Sequence, residues 1–250
     1  MERFSFVFLV AGLGFFVLAF IVSAWLPWVQ FQDVPILSLD QLAAKPPLEF
    51  YELQEQYPQA FEKAFGEHKT AEGAYDMPKA FAHALTVGRK VYVGEACWHC
   101  HSQQVRPVGG DEARFGRVSY PEEYNNALNF PPLWGTRRVG PDLIRQNGKH
   151  SNDWHVAHFW NPPDVSPTSV MPRYPWFFEP DTLTPNLRGL SVIAYVQWLG
   201  SWQSNWQEDL HGVGAIGRAF PSPSTPQPAQ PTPQTPQTKP SPKQAGEEEF

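Results

Sequence analysis

The sequence predicts a mainly α-helical chain: one N-terminal membrane-spanning helix, then a helical domain. Three observations carry that expectation. An uncharged apolar run opens the chain, two later segments repeat apolar residues at helical spacing, and no run of buried β-branched residues suggests a sheet.

The opening run is Phe4 to Leu26, FSFVFLVAGLGFFVLAFIVSAWL. A spanning helix needs about 20 apolar residues, and this run supplies them. A cleaved signal peptide has a shorter apolar region, ~7–15 residues, although Val22-Ser23-Ala24 resembles a cleavage site. Trp25 and Trp28 close the run as interfacial aromatics do. An uncleaved anchor over residues 1–29 is therefore expected. Arg3 on one flank, against Asp33 and Asp40 on the other, favours a cytoplasmic N-terminus and an extracytoplasmic bulk.

Residues 30–77 read as an acidic spacer or helical arm. Nine acids (Asp33, Asp40, Glu49, Glu52, Glu55, Glu62, Glu67, Glu72, Asp76) outnumber three lysines (Lys45, Lys63, Lys69). One amphipathic helix is expected within it, from Leu48 to Phe65.

A domain is expected over 78–220. Lys79 to Val93 places Phe81, Leu85, Gly88 and Tyr92 on one helical face. Residues 102–182 are rich in proline and glycine and predict loops and short helices. So long a loop region in a compact domain needs something to fill its middle. A last helix follows, with Thr184 as its cap and Pro185 at its first turn. Leu187, Leu190, Ile193, Ala194 and Trp198 line one face, and Val192, Tyr195, Val196 and Leu199 make it apolar nearly all round, so it is expected to be buried. Residues 221–250 are proline-rich, too polar to fold, and read as a disordered tail.

Composition excludes some classes. The net charge of −6 carries no nucleic-acid footprint. Two cysteines exclude a multi-disulfide framework. Both fall in Cys97-Trp98-His99-Cys100-His101, for which four chemistries compete. A structural zinc site needs four N or S ligands, and this cluster offers three at most. A thiol oxidase normally sits on a thioredoxin-like sheet, for which no strand pattern exists. A short structural disulfide leaves the loop-rich middle unexplained. Cys-X-X-Cys-His is the attachment signature of a c-type haem. Two thiols three residues apart reach the two vinyl groups of one porphyrin edge, and His101 then points at the iron. The expected cofactor is one covalently attached haem c, bound by Cys97 and Cys100 with His101 as an axial ligand.

Three methionines compete for the sixth position: Met1, Met77 and Met171. Met171 lies between the loop-rich segment and the last helix, where a mono-haem cytochrome brings its thioether across. His150, His155 and His158 are the alternatives. A His/Met pair raises the haem potential relative to two histidines. Arg106, Arg137, Arg138 and Arg173, with Trp134 and Trp176, are candidate partners for the haem propionates. His99 is expected to be exposed and Asp142 to order a turn.

Gly88-Arg-Lys-Val-Tyr92, then CWHCH, then Val192-Ile-Ala-Tyr195-Val196 resembles the two crossed helices of class I cytochromes c. The resemblance implies that Gly88 lets the last helix approach closely and that Tyr92 and Tyr195 sit at the crossing. More narrowly, GRKVYVGEACWHCHSQQVRP (88–107), WGTRRVGPDL (134–143) and SNDWHVAHFWNPPDVSPTSVMPRYPWF (151–177) resemble the mono-haem subunit, subunit II, of cbb3-type cytochrome c oxidases. That likeness spans roughly residues 80–200 and the anchor. It implies Met171 as the sixth ligand and a non-catalytic subunit in the inner membrane. Single electrons would arrive from a di-haem cytochrome c subunit or a soluble donor cytochrome and leave for the catalytic haem–copper subunit. The competing readings are the small cytochrome subunit of a nitric oxide reductase, a stand-alone membrane-anchored carrier and, more distantly, a membrane-tethered thiol oxidase.

Overall fold

The structure, a computed structural model, describes residues 2–201 apart from 124, 136 and 181. The expected proline-rich tail (221–250) and the end of the expected domain at 220 lie outside the described residues. No β-strand occurs among the described residues, only isolated bridges such as Phe178 with Pro185.

The chain opens with α1 (Glu2–Phe20), a π turn over Ile21–Trp25, and α2 (Leu26–Phe31). The π turn precedes Pro27, which has no N–H to continue the helical ladder. Phe4–Phe31 is long and apolar enough to cross a membrane, with a mean hydropathy of 2.7 and no part of it buried. Behind it, residues 34–37 are pinned to the domain. Asn125 Nδ2 donates to the carbonyls of Val34 and Pro35, and Ala127 N donates to Leu37 O.

Short helices follow: α3 (Leu39–Ala43), α4 (Leu48–Gln56) and α5 (Pro58–Phe65). Ser38 caps α3 in a reciprocal box with Gln41. The single helix expected from Leu48 to Phe65 is divided in two, because Pro58 forces Tyr57 out of the helical region, to φ −128°. The stretch expected to be a spacer also carries core. Phe50, Leu53, Phe61 and Phe65 are fully buried, and Phe50 packs on Phe61, Phe65 and Phe81 with centroids 5.3, 5.9 and 4.8 Å away. Four of its nine acids, Glu49, Glu52, Glu55 and Glu62, lie on α4 and α5, which pack into the core rather than forming a free arm.

The core is the crossing of α6 (Met77–Gly94) and α11 (Leu187–Trp198). Asp76 caps α6 by accepting from Lys79 N, with Pro78 in the first turn. At the crossing, a Cβ on Gly88 would lie 2.1 Å from Ser191 O and 2.6 Å from Tyr195 Cβ, so only glycine permits this approach. Tyr92 and Tyr195 meet there at 5.4 Å. Every residue from Gly189 to Trp198 is buried, as the all-round apolar pattern requires. The start of α11 differs from expectation. Asn186, not Thr184, is the cap, accepting from the backbone N–H groups of Arg188 and Gly189. Asparagine is the stronger cap, and Pro185 is held extended by its bridge to Phe178.

Between the two long helices lie α7 (Cys97–Cys100), α8 (Asp111–Phe115), α9 (Asn152–Trp160) and α10 (Pro162–Val165), joined by irregular chain. Turns and side-chain networks hold this middle in place.

Candidate haem site

The Cys-X-X-Cys turn is α7, entered through Ala96 in the left-handed conformation at φ 58°. Such a conformation is uncommon outside glycine. It turns the chain sharply between the end of α6 and Cys97. Cys97 is buried and Cys100 exposed, and no disulfide joins them. Burial, with the charge of Glu95 adding to it, pushes the Cys97 thiol up to about 12. A thiol nucleophile needs the opposite shift. Together with the lack of a strand among the described residues, this disfavours thiol–disulfide exchange. His99 is exposed and lies flat on Trp98, 3.9 Å away.

His101 is the most constrained ring in the turn. Its backbone N–H donates to Cys97 O, and its carbonyl accepts from the Tyr92 hydroxyl at 3.1 Å. Its Nδ1 lies 2.9 Å from the carbonyl of Pro141. A carbonyl can only accept, so Nδ1 carries the proton and the lone pair is on Nε2. Burial lowers the His101 pKa, which favours the neutral ring. Gly140 packs directly against it: a Cβ there would come within 2.2 Å of Cε1. Gly140 N donates to Cys100 O at 3.0 Å, closing the 140–142 segment onto the turn.

A polar lattice fixes that segment. Asp142 accepts from the Ser102 hydroxyl at 2.5 Å, from Gln104 N at 2.9 Å and from Ile144 N at 2.9 Å. It orders a turn, as expected. Arg138, with a side chain only 6% exposed, donates to Ser102 Oγ and to the carbonyl of Gln104, and pairs with buried Asp111. Arg106 also pairs with Asp111, at 2.8 Å. The Arg106 bond, aided by Arg138, holds the Asp111 carboxyl far below the usual carboxylate range. Arg106 and Arg138 were candidate propionate partners. Both pair with Asp111, and Arg138 also lies 3.6 Å from Asp142, which gives this buried guanidinium the counter-charge it needs.

Met171 sits on the loop between α10 and α11, half-buried against the core. That loop is held at three points. Tyr174 N donates to Phe159 O of α9 at 2.9 Å. Arg173 Nε donates to Trp160 O at 3.0 Å. Trp176 Nε1 donates to Glu95 Oε1 at 3.0 Å, and Arg188 adds an ion pair to the same carboxylate. Trp176, another candidate propionate donor, is therefore bound to Glu95. Tyr174 lies near enough to Cys97, Cys100 and Glu95 for their charges to reinforce burial in pushing its hydroxyl up. The Met171 loop and the cysteine turn thus share one side of the domain.

The competing histidines lie on or beside α9. His150, Trp154 and His158 form a stacked column, 3.8 and 4.5 Å between successive rings. His155 Nε2 and His158 Nδ1 are buried without a hydrogen-bond partner. Burial lowers His155 to about 3 and His158 to about 4, and His101 contributes to the latter. α9 therefore also faces the His101 side.

The residues fit a haem. Two thiols one helical turn apart adjoin an imidazole whose free nitrogen is set by its neighbour, and a cradle at Gly140 has no room for a side chain. A thioether loop is fastened beside them.

The family described as cytochrome C oxidase, mono-heme subunit/FixO matches residues 68–197, more than half of the chain. The chain belongs to the FixO family. A FixO protein is the mono-haem subunit of a cbb3-type cytochrome c oxidase, a membrane-associated complex, so the family brings with it one haem and a place in that complex. The match contains α6, the cysteine turn, Gly140-Pro141-Asp142, Met171 and nearly all of α11. The apolar N-terminal helix and α3 to α5 precede it. A comparison with curated proteins returned no match.

Several residues here gave no sequence signal of their own role. Pro141 acts through its carbonyl, which any residue could supply. Glu95 reads as a surface acid, and its partners Trp176 and Arg188 lie more than 80 residues away. Asp111 has the same character, with Arg138 27 residues on.

Proposed function

We propose that this FixO chain is the fixed electron relay of its oxidase, tethered by α1 with its haem domain on the extracytoplasmic side. Cys97 and Cys100 would hold one haem c through thioether bonds, and His101 and Met171 would ligate its iron. When bound, the haem supplies a one-electron iron couple.

The chain's own residues do the positioning. Cys97 and Cys100 fix the porphyrin edge to the end of α6. The Pro141 carbonyl takes the Nδ1 proton of His101 as a hydrogen bond, which orients the ring and raises its basicity as a ligand. Glu95, through Trp176, keeps the Met171 loop close to the cysteine turn, where the Met171 thioether would ligate the iron and so suppress ligand chemistry there. Electrons come from the di-haem cytochrome c subunit or a soluble donor cytochrome, and leave for the catalytic haem–copper subunit. The chain itself performs no oxygen chemistry.

The observation that carries this reading is His101: Nδ1 engaged by Pro141, Nε2 left with its lone pair, the ring flat against Gly140. Rapid mixing of the reduced, assembled oxidase with oxygen tests the relay. The haem of this chain should reoxidise within one turnover. If it stays reduced while oxygen is consumed, electrons bypass it and the reading is wrong.

A further inference from the structure

A second constellation lies away from the cysteine turn. Glu67 and His68 belong to the short 3-10 turn Gly66–His68 that follows α5, and His83 lies in the second turn of α6. Their side chains converge. His68 Nε2 lies 3.0 Å from His83 Nδ1, and Glu67 Oε1 lies 3.4 Å from the first and 3.2 Å from the second. Zinc bonds of about 2.0–2.1 Å to nitrogen and similar length to oxygen, arranged tetrahedrally, put neighbouring ligand atoms about 3.3 Å apart. The three atoms already form one face of such a site.

The surroundings hold them there. Asp76 N donates to His68 O at 2.8 Å, and the Lys69–Tyr75 bridge closes the loop that returns the chain to α6. Phe65 packs edge-on against the His83 ring at 5.8 Å, and the two imidazoles stand nearly perpendicular, 5.1 Å apart. The imidazoles are 21% and 28% exposed while Glu67 is 67% exposed, so the protein covers one side and water can supply a fourth ligand on the other.

We propose that Glu67, His68 and His83 bind one divalent transition-metal cation of the zinc class, clipping the 66–76 turn to α6. Two imidazole donors and one carboxylate favour such an ion over calcium or magnesium, which take oxygen ligands. Binding needs a lone pair on both facing nitrogens. The His68–His83 hydrogen bond is given up, and His68 takes the tautomer protonated at Nδ1, with no net proton change when both rings start neutral. The site is independent of the haem reading.

The test uses full-length holoprotein in detergent, stripped with a chelator and titrated calorimetrically with Zn2+ in excess Mg2+. One saturable equivalent and a raised melting temperature are expected. His83→Gln and Glu67→Ala should lose that equivalent with an unchanged haem absorption spectrum. If His83→Gln fails to fold, His68→Gln on the turn replaces it under the same criterion. No saturable Zn2+ in the wild type, or the same equivalent retained in the variants, overturns the proposal.

Discussion

The indole N–H of Trp176 donates to the carboxylate of Glu95 at 3.0 Å, tying the Met171 loop to the residue two before Cys97. Glu95 also pairs with Arg188. A hydrogen bond to a charged group contributes about 1.5–3 kcal/mol, and the 49% exposure of Trp176 puts this one near the lower end. Glu95→Ala should therefore let the Met171 loop leave more readily. External imidazole should bind the ferric haem roughly tenfold more tightly than in the wild type, in line with that energy. Spectral titration reads this out, and an unchanged affinity would show that the loop is held by other contacts.

Met171→Ala should convert a low-spin spectrum to a high-spin or ligand-exchangeable one and lower the haem potential. His158→Leu should leave the low-spin spectrum in place. His158 faces the His101 side with an unpartnered Nδ1, so this pair of variants separates the two candidate ligands. The reverse outcome would give the sixth position to α9.

Gly88→Ala places a methyl group 2.1 Å from Ser191 O, which is backbone and cannot step aside alone. Forced overpacking of this kind costs about 1–3 kcal/mol. The melting temperature of the holoprotein should fall by several degrees. A neutral result would mean the α6–α11 crossing opens without cost.

Phe50 packs against three other phenylalanines and is fully buried. Phe50→Ala should destabilise the folded domain by about 3–5 kcal/mol, as core aromatic truncations do. Denaturant unfolding would show it. A change below 1 kcal/mol, as for ordinary surface sites, would mean α4 and α5 are not part of the cooperative unit.

His155 is buried with its pKa lowered to about 3, mainly by burial. An unfolded histidine titrates near 6.5. Below that value the unfolded chain takes up a proton that the folded chain refuses, so stability is full above about pH 6.5 and is lost on acidification. The slope approaches roughly 1.4 kcal/mol per pH unit for this residue. His155→Leu should flatten the stability profile between pH 7 and pH 4, measured by denaturant unfolding. An equally steep profile would assign the acid sensitivity elsewhere.

The legible parts of this chain are those whose signal is local. The CWHCH turn is five consecutive residues, so the expectation of haem attachment there needs only their spacing. α6 and α11 announce themselves by periodicity, and Gly88, Tyr92 and Tyr195 mark their crossing. Less legible is whatever joins distant residues. Phe50, Leu53, Phe61 and Phe65 are diluted by acids and divided by Pro58, so the segment reads as polar although its apolar face is core. Thr184-Pro185 looks like a helix start, yet Asn186 one residue later caps better. Asp111 with Arg138, and Glu95 with Trp176, are pairs made by the fold alone. Glu67, His68 and His83 come together only because the chain doubles back between residues 68 and 76.

The intact mass of the chain under denaturing conditions tests the central claim most directly. The account predicts polypeptide plus one haem, falling to bare polypeptide in the Cys97→Ser, Cys100→Ser double variant. A wild-type chain at the bare polypeptide mass, with two thiols open to alkylation, would contradict it.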